Sequence, residues 1–121
     1  MGDSLTEKII SAAIEVHRIL GPGLLESIYE EALCYELSKR GLQIERQKDV
    51  DVVYKDQVIK GQRLDLLING QVVVEIKSVR KLDDIFTAQI LSYLKTTGTK
   101  RGLIINFGQS RLIDGLKRVS L

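Results

Sequence analysis

Arg63-Leu64-Asp65-Leu66-Leu67-Ile68-Asn69-Gly70-Gln71-Val72-Val73-Val74-Glu75-Ile76-Lys77 reads as two apolar strands joined by a tight turn. Asn-Gly accepts positive φ at both central positions of a two-residue hairpin turn, so the strands fold back antiparallel. Each strand carries an ionisable group among residues that favour burial. Burying a charge is costly unless it is paired or holds a metal. Glu75 and Lys77 are two apart and project from one face of their strand, and the turn brings Asp65 alongside them. Two carboxylates with water and phosphate oxygens are the ligands Mg²⁺ prefers. A metal there polarises a phosphodiester and lowers the pKa of a bound water, while the lysine orients that water or neutralises developing charge.

Upstream of the hairpin, residues 42–46 alternate, and residues 50–54 are rich in β-branched side chains before the polar turn Lys55-Asp56-Gln57. These segments and residues 58–68 and 72–76 predict three or four antiparallel strands. Further upstream, Ile9, Ile10, Ala13, Val16, His17 and Leu20 fall at helical spacing, and Ser4 with Glu7 reads as a capping box. Gly21-Pro22-Gly23 stops that helix. A second helix follows over 24–40, with Leu25, Ile28, Tyr29, Ala32, Leu33 and Leu37 on one stripe and Gly41 as its stop.

Downstream, residues 83–95 predict a third helix capped by Asp83 or Asp84, and Gly98 ends it. The continuous apolar run 102–107 predicts a strand buried on both faces, followed by a short tail to Leu121. The order α-α-β-β-β(-β)-α-β implies an α+β or mixed α/β sandwich. With 121 residues, it forms one domain over 1–121.

Composition narrows the function. With 44% hydrophobic and 28% charged residues the chain is globular rather than disordered. At 5% aromatic and no Trp, a base-stacking platform is not supported. A net charge of +2 permits a polyanionic partner without demanding one. Cys34 has no internal partner and sits in a helical pattern, as a small buried hydrophobe does. No secretory leader pattern or membrane span appears, so a cytoplasmic protein without membrane association is expected. His17, the only histidine, is given no role.

Asp65, nine intervening residues, then Glu75-Ile76-Lys77 resembles the metal site of the PD-(D/E)XK nuclease superfamily. The order helix, three-stranded meander, helix, strand matches that superfamily's restriction-endonuclease-like core. Gln89-Ile90-Leu91-Ser92-Tyr93 looks like the QxxxY helix motif of its RecB-like branch. Residues four apart share a helix face, so Gln89 and Tyr93 can both point at the strand site. Across nearly the whole chain the sequence is similar to a small bacterial family known by its GxxExxY motif. Here that motif is Gly23-Leu24-Leu25-Glu26-Ser27-Ile28-Tyr29, after His17-Arg18-Ile19-Leu20-Gly21-Pro22.

The resemblance implies a nuclease dependent on Mg²⁺ or Mn²⁺ and acting on DNA or RNA. Asp65, Glu75 and the Ile76 carbonyl are expected to bind metal, with Glu26 bound directly or through water. Lys77 orients the attacking water, and Gln89 and Tyr93 position substrate or support Lys77. Tyr29, Arg80, Lys81 and Lys95 are candidate substrate contacts. The alternative class is a non-catalytic nucleic-acid- or protein-binding module that keeps the fold; a third is a structural domain whose polar cluster fixes strand register. The small size favours a homodimer or a larger partner for gripping a duplex.

Overall fold

The computed structural model describes residues 3–121. Three helices and five strands follow in the order α1 (Ser4–Leu20), α2 (Glu26–Lys39), β1 (Ile44–Tyr54), β2 (Gln57–Ile68), β3 (Val72–Lys77), α3 (Asp84–Thr97), β4 (Arg101–Asn106) and β5 (Leu116–Ser120). The strands form one sheet in the order β1-β2-β3-β4-β5. β3 and β4 are parallel, joined through α3, and the other pairs are antiparallel. This is the mixed α/β architecture that the pattern of elements predicts.

Alternation along β3 sorts the layers. Val72, Val74 and Ile76 pack with Ile9, Val16, Tyr29 and Leu33 of α1 and α2. Val73 packs on the other face with Ile90, Tyr93 and Leu94 of α3. Glu75 and Lys77 follow the parity of Val73 and so belong to the α3 face. The aliphatic core is supplied from both sides, each fully buried Leu or Ile contributing about 1.5–3 kcal/mol.

Four details differ from the sequence reading. The α1 cap is Asp3, not Ser4: its Oδ1 accepts from Thr6 N at 2.9 Å and its Oδ2 from Thr6 Oγ1 at 2.7 Å. An acid one residue earlier does the same work, and these bonds hold the Asp3 carboxyl at about 2. The two expected segments merge into one strand, β1, which starts at Ile44 rather than at 42, because the backbone passes through positive φ at Gln47 without leaving the ladder. α2 starts at Glu26, two residues after the predicted 24, with Leu25 as its cap. The tail is not irregular: a 3-10 turn, Leu112–Gly115, leads into β5, whose Val119 is buried against β4.

The Asn69-Gly70 turn forms as expected, with φ of 51° and 65° and Gln71 N donating to Ile68 O at 2.9 Å. Among the described residues no helix is long and apolar enough to cross a membrane.

Candidate active site

The sheet forks at the site. β2 and β3 pair only through Leu66–Val74, Leu67–Val73 and Ile68–Val72. Beyond that point β2 stays with β1, and β3 continues along β4 as far as Lys77–Asn106. The two acids stand in the crotch and bond across it with main-chain groups. Asp65 N donates to Glu75 Oε2 at 2.8 Å, and Ile76 N donates to Asp65 Oδ2 at 2.8 Å. Two side chains thus replace ladder bonds, which keeps the amides satisfied where the strands part.

Burial dominates the electrostatics. Glu75 is 5% exposed, and its carboxyl is pushed up to about 8 by desolvation first and by the neighbouring Asp65 charge second. Asp65 is also raised, again chiefly by burial; the bond from Ile76 N and the Lys77 charge oppose this, while the Glu30 and Glu26 charges add to it. The Tyr93 phenol is raised by burial, then by the Glu75 and Asp65 charges. Among the described residues neither site acid forms an ion pair; the Lys77 ammonium lies 4.5 Å from the centroid of the Phe86 ring instead.

The sequence-derived residues are placed unequally. Asp65, Glu75, Ile76 and Lys77 meet at the fork, and Tyr93 is buried on α3 above it. Gln89 is half-buried one turn before Tyr93, in register with Phe86 along α3. Glu26, the first residue of α2, is exposed, and its charge reaches both fork acids without joining them. Among the described residues no group of three or more His, Cys, Asp or Glu converges as a metal cage.

Arg80 and Lys81 are exposed on the loop that follows β3. Lys95 is exposed in the last turn of α3, where a cation suits the helix dipole. Tyr29, a candidate substrate contact in the sequence, is turned into the core. It is fully buried, stacks on Phe107 at 4.4 Å, accepts from Leu24 N at 3.1 Å and donates to Gly21 O. Its hydroxyl is consumed in shaping the loop ahead of Glu26, and Ser78 Oγ, one residue past Lys77, donates to Leu24 O at 2.6 Å to tie that loop to the site.

Several site residues escaped the sequence reading. Glu30 is buried one helical turn after Glu26, a spacing that could have exposed it. Its Oε1 accepts from Gln47 Nε2 at 2.9 Å, and Arg46 Nη2 bonds its Oε2 at 3.0 Å. Asn106, fully buried, anchors the loop after Lys77: its Oδ1 accepts from Val79 N and Gly108 N, each at 3.0 Å, and its Nδ2 donates to Val79 O at 2.9 Å. A polar residue closing an apolar run was the available signal. His17 is buried, with Nε2 2.8 Å from Gln109 O, which braces the same region.

The donor set suits a hard cation that keeps part of its hydration. Mg²⁺ is commonly held by one or two carboxylates together with water and substrate phosphates, and Asp65 with Glu75 offers that number. A forked mixed sheet with two acids and a lysine on one face defines a restriction-endonuclease-like α/β domain. The chain belongs to the PD-(D/E)XK nuclease superfamily, whose family model matches residues 3–119. The crystal structure of SSO0001 shares the fold, with a TM-score of 0.51 at 15% identity over 98% of this chain and 78% of that one. No curated protein matches the sequence.

Proposed function

We propose that this chain is a Mg²⁺- or Mn²⁺-dependent phosphodiesterase acting on DNA or RNA, of the GxxExxY kind and with the QxxxY helix of the RecB-like branch. The observation that carries the reading is the fork itself. A buried carboxyl, Glu75, and a partly buried one, Asp65, stand side by side, fixed by reciprocal main-chain bonds and without an ion-pair partner among the described residues. Such a pair is unfavourable with both acids charged, so it takes up either a proton or a cation.

Asp65 and Glu75 would hold the cation, with the Ile76 carbonyl beside them and Glu26 contributing charge from the α2 side. When bound, the cation supplies Lewis acidity toward a phosphodiester oxygen. Lys77 shares the face of Glu75 and is left free of carboxylates by its seat over Phe86, so its ammonium is available to the scissile phosphate or the attacking water. Tyr93 walls the site from α3, and Gln89 faces the same way. Arg80 and Lys81 lie where flanking phosphates would pass.

Calorimetric titration of Mn²⁺ into the wild type and Asp65→Ala, followed by cleavage assays on single- and double-stranded DNA and RNA, tests the reading. Binding that vanishes in Asp65→Ala, with cleavage falling about 100-fold or more in Lys77→Ala, is the expected result. A fully active Lys77→Ala protein overturns the mechanism. Metal-independent nucleic-acid binding that ignores Asp65→Ala would establish a non-catalytic module instead.

A further inference from the structure

Gln47 is the one residue of β1 with positive φ, at 50°. A glutamine in the left-handed region in mid-strand is strained, and strain of this kind persists where surrounding contacts over-determine it. The register places Gln47 opposite Asp65, between the pairs Arg46–Leu66 and Lys48–Leu64. The strand changes face at the same point. Leu66 and Ile68 pack on the α1 and α2 side, whereas Leu64, of the same parity, packs with α3.

The side chain explains what the backbone conformation achieves. Gln47 Nε2 donates to Glu30 Oε1 at 2.9 Å and lies 3.5 Å from Asp65 Oδ1. An amide nitrogen carries two protons and can serve two acceptors. Asp65 Oδ2 is already held by Ile76 N. Gln47 therefore addresses the other oxygen, the one turned away from the β3 main chain. Glu30 anchors it from the far side and is itself held by Arg46 at 3.0 Å.

We propose that Gln47 is a positioning residue: its strained backbone delivers an amide between Glu30 and Asp65 that fixes the Asp65 carboxylate for the cation and keeps the two acids apart. The inference rests on the metal-site reading and deepens it. Arg46, Glu30, Gln47 and Asp65 form one chain of polar contacts from α2 to the fork. Residues that orient metal ligands in this way typically change metal affinity by 10–100-fold when lost.

The test compares Gln47→Gly and Gln47→Ala with the wild type in Mn²⁺ titrations and thermal melts. Glycine is at ease at this φ, so Gln47→Gly should melt no lower than the wild type while binding Mn²⁺ about 10–100-fold more weakly. Gln47→Ala should lose both affinity and stability. Wild-type affinity in Gln47→Gly overturns the proposal, because the residue would then serve only the bend of the strand. If the wild type binds no Mn²⁺, the metal-site reading fails, and the side-chain amide signals of Gln47 decide the positioning claim. A held amide gives a heteronuclear NOE as high as the backbone and shifts in both Glu30→Gln and Asp65→Asn. A freely averaging signal, unmoved by either change, overturns it.

Discussion

Glu75 carries the most informative charge in the molecule. Its carboxyl, ordinarily near 4.5, is pushed up to about 8 by burial and by Asp65. The metal-free folded chain therefore keeps a proton that the unfolded chain has released over that interval. Stability from this group is fully present below about 4.5 and is lost as pH rises through about 8. Melting temperatures in chelator should fall between pH 5 and pH 9, and Glu75→Gln should flatten that decline. A cation competes with the same proton, so Mn²⁺ affinity should climb with pH and level off above about 8. An affinity independent of pH across this range would place the cation elsewhere.

At the scale of elements, the loop after Lys77 is held by the end of β4. Asn106 satisfies both main-chain groups of Val79 while fully buried. Asn106→Ala should cost about 1–3 kcal/mol for each group left unpaired, read in denaturant melts. Gly108 lies so close that an added Cβ would meet Val79 O at 2.3 Å and Val79 N at 2.7 Å. Gly108→Ala must move the main chain beside β3 and should lower stability and, on the proposed mechanism, cleavage. Gly102→Ala meets side chains and no main chain, Ile90 Cδ1 at 2.6 Å and Leu94 Cδ2 at 3.5 Å, so it should be milder.

These supports mark the limit of what the sequence discloses. Asn69-Gly70 and the apolar runs around Asp65 and Glu75 announce the hairpin because turn chemistry and periodicity are local. The bonds of Gln47 reach partners 17 and 18 positions away, those of Asn106 to Val79 span 27, and Tyr29 stacks on the distant Phe107, so all of them exist only once the sheet is assembled; Gln47 in particular is no turn former, and nothing in its neighbours announces a positive φ. Tyr29, three residues after Glu26 in the sequence pattern, serves the core, since stacking on Phe107 and both bonds of its hydroxyl are settled by tertiary packing.

Across the whole molecule, two cores share one sheet, α1 and α2 on one face and α3 on the other. The site lies where the sheet between them parts, so neither core alone can assemble it. A ligand that binds this assembled state stabilises the entire fold by mass action. At a Mn²⁺ concentration 100 times its dissociation constant the gain is about 2.7 kcal/mol, enough to raise the melting temperature by several degrees. Asp65→Ala should melt at one temperature with or without Mn²⁺. A rise that survives the substitution would reveal a different binding locus.

The fork also turns two ordinary amides into sensors. Asp65 N–H and Ile76 N–H are sheltered by the Glu75 and Asp65 carboxylates, not by carbonyls of a neighbouring strand. Their deuterium uptake follows the charge state and occupancy of the acids, while Val73 and Val74, deep in the ladder, follow global opening. Protonation or Glu75→Gln should speed uptake at Asp65 and leave Val73 unchanged, so a single exchange experiment on the unlabelled protein watches the two acids from the backbone they hold.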